Sequence, residues 1–167
     1  MDMIERMESL VPEYSYSSVK DMVRTDRDVR LYLVGEMKKV KNMLFHVVQV
    51  GYELHRDKLS DAAEGAYDDI DSLLDRVENS RTAKMEGSEK FCEECKKRIE
   101  RDMHNIIRSD RNLVVTVMDM KRTAHLLHRA LMVEGREGHF IKNLEKVKNY
   151  RNEIIKLLDS REKSIVG

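Results

Sequence analysis

One apolar seam constrains this chain more than any other feature. Val19, Met22, Asp26, Val29, Leu33, Met37, Val40, Leu44, Val47, Gly51 and Leu54 follow at steps of 3, 4, 3, 4, 4, 3, 4, 3, 4 and 3 residues. That repeat keeps one stripe of an α-helix turned toward a partner, whereas a strand alternates every second residue. The predicted helix is about 38 residues and 57 Å long at 1.5 Å per residue. A helix of that length with a single apolar stripe requires other helices beside it. Asp26 interrupts the stripe near its start and reads as a rim or kink residue.

The remaining segments repeat the theme. Met1, Ile4, Met7 and Leu10 describe a short leading helix stopped by Pro12, and Ser18 with Asp21 resembles a capping box. After the polar joint Asp57-Lys58-Leu59-Ser60-Asp61, a second seam runs through Leu59, Ala63, Ala66, Ile70, Leu73 and Val77, giving an antiparallel hairpin with the first. Ala62, Ala63, Gly65 and Ala66 predict close helix approach at its start. Residues 79–88, with Gly87, read as a linker. Phe91, Cys92, Cys95, Ile99, Met103 and Ile106 precede Arg108-Ser109-Asp110-Arg111-Asn112, and Leu113, Val117, Met120, Ala124, Leu127 and Leu131 follow it. Two forms compete over residues 88–132: one continuous helix, or a tight hairpin at the polar stretch. The hairpin is favoured, because an unbroken helix of about 45 residues would have little to pack its far half against. Gly135 and Gly138 break the chain before a last helix from Phe140 to Glu162. The expected fold is all-α: an elongated antiparallel bundle of about five main helices with a short N-terminal helix, in a single domain over residues 1–167.

Composition excludes several classes. Seven glycines, one proline and no tryptophan leave too few turn residues for a sandwich or barrel that reverses every ~10 residues. Lys+Arg and Asp+Glu both number 31, so no overall cationic field draws nucleic acid, although a local basic face stays open. No apolar run approaches the ~18 residues of a membrane span, and no cationic stretch precedes a greasy one, so a cytoplasmic location without membrane attachment is expected. Two cysteines three residues apart do not build a disulfide scaffold.

Leu54-His55-Arg56 ends the first long helix, and a charged helix from Asp61-Ala62-Ala63-Glu64 to Leu73-Leu74 follows; Leu127-His128-Arg129 and Leu157-Leu158-Asp159 repeat that order. In this pattern the chain resembles the translin family over residues 26–80 and 112–159. The resemblance implies an all-α fold, assembly into rings of several subunits and binding of single-stranded RNA or DNA. The nuclease-active branch of that family sets metal-binding carboxylates on two facing central helices. Here Cys92 and Cys95 stand where two acidic residues would be, with Glu93 and Glu94 between them. Asp119 matches the facing acidic residue, but Thr123 replaces its partner four residues on. The hydrolytic site is therefore expected to be absent or changed.

The residues themselves offer little chemistry. There is no phosphate loop, nucleophile elbow, His-Glu-x-x-His or paired Glu-x-x-His. His46 sits among apolar neighbours and reads as a buried or boundary histidine. Cys92 and Cys95, with His125 and His128, are two i,i+3 pairs that a hairpin at Asp110 would bring level, Cys92 with His128 and Cys95 with His125. Two thiolates and two imidazoles are a tetrahedral zinc set. Plain packing of the cysteines as small hydrophobes is the favoured alternative, so no metal and no cofactor are assigned. The basic clusters Lys38-Lys39-x-Lys41, Lys96-Lys97-Arg98 with Arg101, and Lys142, Lys146, Lys148 and Arg151 alternate with glutamates as solvated faces do. The expectation for function is a non-catalytic bundle that binds single-stranded RNA or DNA as a homo-oligomer. The alternatives are an adaptor docking a protein partner, or a metal-dependent enzyme built on the central hairpin.

Overall fold

The computed structural model describes residues 3–11, 13–85 and 93–167. Its helices are α1 (Met3–Glu8), α2 (Val19–Glu53), α3 (Asp57–Glu78), α4 (Arg81–Met85), α5 (Glu93–Leu131) and α6 (Glu137–Val166), and the described residues contain no strand. The protein is an all-α bundle. Among the described residues four long helices carry it, where about five main helices are expected, because residues 93–131 form one helix. No helix among the described residues is long and apolar enough to cross a membrane. The expected stop at Pro12 and the start of the central seam at Phe91 and Cys92 lie outside the described residues.

Both seams of the first hairpin are buried as predicted. From Met22 to Val47 every apolar seam residue of α2 is at most 2% exposed, and Leu59 to Val77 line the inner face of α3. Ser18 caps α2, its Oγ accepting from the Asp21 N–H at 3.2 Å and donating to the Asp21 carboxylate at 2.6 Å. The seam ends one residue short: Leu54 is the C-cap of α2 and is 43% exposed. The turn is tighter than the polar joint implied, with His55 at φ +56 and α3 starting at Asp57. The close approach also falls elsewhere than expected. Ala63 and Ala66 are buried, but Gly65 faces open space, whereas a Cβ on Gly51 would lie 2.1 Å from Ser60 Oγ. Gly51 is the position at which α2 admits α3.

The hairpin expected at residues 108–112 is absent, and α5 runs unbroken for 39 residues, about 58 Å. Turn-capable side chains do not break a helix that lacks Gly or Pro, and Asp110 occupies a seam position, four residues after Ile106 and three before Leu113. Its carboxylate is spent on tertiary partners instead of a cap. The first half of α5 does have neighbours. α1 packs on it, Met7, Val11, Tyr14 and Tyr16 are buried, and Arg98 Nη1 donates to the Val166 carbonyl at 2.7 Å. Of the linker expected over residues 79–88, Gly87 lies outside the described residues, and residues 79–85 are not plain linker: Ser80 Oγ accepts from the Ala83 N–H at 3.2 Å and opens α4.

Ion pairs fix the helix directions. Lys38–Glu78 and Lys41–Asp71 set α3 antiparallel to α2, and the Arg98–Val166 hydrogen bond with Asp110–Arg161 sets α6 antiparallel to α5. Asp26 and Asp110 meet at Arg161 and Glu36 meets Lys121, so α2 and α5 run parallel, as do α3 and α6 through Arg56–Glu137 and Arg76–Asp159. Each long helix packs on two others, leaving α3 diagonal to α5.

Asp26 is not a rim residue. It is 3% exposed and accepts from Arg30 Nε at 2.9 Å and from Arg161. The Arg161 guanidinium, 3% exposed, also donates to Asp110, and its Nη2 to Tyr16 Oη at 3.2 Å. The Tyr14 and Tyr16 hydroxyls complete the cluster by donating to Asp110 Oδ2 at 2.8 and 2.7 Å. Burial raises the Asp26 carboxyl, but Arg161 and Arg30 outweigh it and hold the group below its ordinary value. Burial first, then Asp110, pushes both phenols well up.

Two sets of measurements test this packing. Leu44→Ala and Ile70→Ala each lower stability by about 2–5 kcal/mol in urea unfolding, whereas Lys38→Ala, on an exposed ion pair, changes it by less than about 0.5 kcal/mol. Gly51→Ala costs about 1–3 kcal/mol, and adding Ser60→Ala recovers most of that loss because the clash is with the hydroxyl. Arg161→Met removes the cation that two buried carboxylates share and costs about 3–5 kcal/mol. The pH dependence has two signs. Asp26 is depressed in the fold, so its contribution is full above 3.8 and is lost as pH falls through its lower folded value. Tyr16 is raised, so stability falls as pH climbs above 10.0, where only the unfolded chain ionises readily. Phenolate absorbance from Tyr14 and Tyr16 then grows in only with unfolding.

Candidate functional site

The parallel pairing of α2 and α5 leaves a groove on the outside of the bundle, about 870 Å³ in volume. Lys39, Asn42, Met43 and His46 line it from α2, and Arg122, Ala124, His125, Leu126, His128 and Arg129 from α5. Apart from Ala124, a buried seam residue at the floor, each set lies on a flank beside the seam, so the same periodicity that seats Leu44 and Leu127 inside turns these residues outward. The His46 and His128 rings stack across the groove with centroids 5.1 Å apart and planes 21° from parallel. Lys39, Arg122 and Arg129 are cations, three histidines accompany them, and no carboxylate is part of the lining.

The charges differ in how far they are committed. Lys39 donates to Glu36 at 2.5 Å and Lys121 to the same carboxylate, while Arg122 pairs with Asp119 at 3.1 Å. Burial raises the Glu36 carboxyl, but hydrogen bonds from Lys121 and Lys39 outweigh it and hold it below the usual range. Arg129 is exposed and makes no ion pair among the described residues.

The residues singled out in the sequence fall apart in space. Cys92, and with it the Cys92–His128 pairing, lies outside the described residues. Cys95 is buried near the start of α5, in the same helix as His125 and 30 residues before it, about 45 Å away. Without the hairpin, the Cys95–His125 pairing is overturned. No three His, Cys, Asp or Glu side chains converge to hold a metal among the described residues. Glu93, Glu94 and Asp119, which the translin-like placement put on facing helices, also share α5. His46 is exposed and not a core histidine; His128 is half-buried against it; His55, His104, His125 and His139 are exposed.

The basic clusters behave largely as solvated faces. Lys38, Lys39 and Lys41 pair with Glu78, Glu36 and Asp71, Lys96 with Glu100, and Arg101 with Asp102. The zero net charge nevertheless hides a segregation. α3 carries eight Asp or Glu against two Lys or Arg, a net of −6, and α5 carries six against nine, a net of +3. Because these helices are diagonal, the bundle has an acidic edge and a basic edge. The signal for the groove was present in the sequence as Lys39, Met43 and His46 at i,i+4,i+7 and Arg122, His125 and Arg129 at i,i+3,i+7. Only the pairing of α2 with α5 joins the two rows.

Compared with protein-family models, curated proteins and solved structures, the chain matches none of them.

Proposed function

We propose that the protein is a non-catalytic helical bundle that binds single-stranded RNA or DNA along the α2–α5 groove and works as a homo-oligomer. The observation that carries this reading is a groove lined by three cations and three imidazoles without a carboxylate, in a chain of zero net charge. Phosphate contacts need donors gathered on one face; Arg129 makes no ion pair among the described residues, while Lys39 and Arg122 are held by Glu36 and Asp119 outside the lining. The acidic α3 lies away from that face, so a polyanion would be admitted from the α5 side and repelled from the opposite edge. The pattern-level resemblance to the translin family points to the same ligand class. Opposite charge on the two edges also supports self-association, since the α3 edge of one copy complements the α5 edge of another.

Fluorescence anisotropy with a labelled single-stranded RNA of about 20 nucleotides tests the binding. The expected outcome is saturable binding that weakens between about 50 and 200 mM salt, with Arg129→Ala lowering affinity and the salt slope by about one unit. Absence of saturable binding at low salt removes the nucleic-acid reading. Sedimentation velocity should show species heavier than the 19.7 kDa monomer at low salt. A monomer at every salt concentration removes the homo-oligomer.

A further inference from the structure

We infer that the stacked His46–His128 pair is a base-stacking platform, so that the groove recognises unpaired bases as well as phosphate. This deepens the single-strand reading above and rests on it. The two rings come from different helices and meet at 5.1 Å and 21°, so they form a two-ring column across the groove. His128 is half-buried and seats the column, while His46 is exposed. The outer face of the His46 ring is where a third planar ring can add. An aromatic ring accepts any base on its face, which makes such a contact tolerant of sequence but dependent on the base being unpaired.

The surroundings suit a nucleotide better than a bare phosphate. Met43 lies one turn before His46 and offers a polarisable thioether wall, and Asn42 carries both donor and acceptor for a base edge. Arg122 and Arg129, seven residues apart on α5, stand about 10.5 Å apart along the helix axis and flank the column. A base on His46 would therefore have its phosphates beside guanidinium groups. A polyphosphate would meet the same cations but leave the ring face and the Met43 wall uncovered. A duplex keeps its bases stacked on each other and presents none to the ring.

The test compares an oligothymidylate with an abasic oligomer of the same length and phosphate count, and with a duplex, at one salt concentration. The oligothymidylate is expected to bind about 5- to 150-fold more tightly than the abasic oligomer, the range that one stacked base supplies. His46→Ala should erase that ratio and His46→Tyr restore it. Arg129→Ala should weaken both oligomers alike and leave the ratio intact. His46 is exposed, so thermal unfolding of its variants should match the parent. Equal affinity for oligothymidylate and abasic oligomer, or a ratio unchanged in His46→Ala, overturns the platform while leaving a phosphate-binding groove. Tighter binding of the duplex overturns it as well. Failure of both oligomers to bind overturns the platform together with the groove reading beneath it.

Discussion

Arg161 ties the start of α2 and the end of α6 to the middle of α5. Its guanidinium, 3% exposed, reaches Asp26 on α2 and Asp110 on α5, and the two tyrosines of the N-terminal segment close on Asp110. Four elements thus meet at one buried set of charges, in which Arg30 and Arg161 balance two carboxylates. Such a set stabilises less than its short contacts suggest, because ions leave water at a cost of several kcal/mol each. Its stronger effect is on geometry. An apolar seam tolerates a slip of one heptad, but a fork of donors set between two carboxylates accepts a single register. The charges are placed where α2, α5 and α6 would otherwise slide freely.

That constraint was partly legible in the sequence. Asp26 sits in the α2 seam between Met22 and Val29, and Arg161 three residues after Leu158 and four before Ile165, so each occupies a core position by spacing alone. Asp110 does the same on α5. Read as three charges of mixed sign at seam positions, they announce a buried cluster and argue against a turn at Arg108–Asn112. A turn is nevertheless favoured there because an unbroken helix would leave its far half little to pack against. The N-terminal segment and the end of α6 supply that packing, and no local window of sequence contains them. The α2–α3 hairpin was legible because its determinants are local: a capped start, a seam, a short joint and a second seam. The groove was not, since its halves lie about 80 residues apart and the bundle topology decides that they meet.

The same topology shapes the functional reading. Antiparallel hairpins placed side by side bring α2 and α5 together in parallel and set the acidic α3 diagonally across from α5. A chain of no net charge thereby presents two edges of opposite sign. The groove lies toward the basic edge and gathers imidazoles that the sequence scatters. Its ion pairs with Glu36 and Asp119 hold Lys39 and Arg122 in place rather than removing them, as a partner carboxylate does for a long flexible side chain.

Arg161 also lies late in the chain, 135 residues after Asp26 and 51 after Asp110. Both carboxylates therefore lie far along the chain from the cation that they share, and Asp26 has a second one, Arg30, close by. The α2–α3 hairpin is built on two apolar seams, whereas the cluster at Asp26 and Asp110 needs the end of α6. The segment bearing Tyr14 and Tyr16 is tied by its hydroxyls to Asp110, 96 and 94 residues further on, so this corner of the core draws on stretches distant in sequence. A chain without α6 leaves both carboxylates short of the cation that they share.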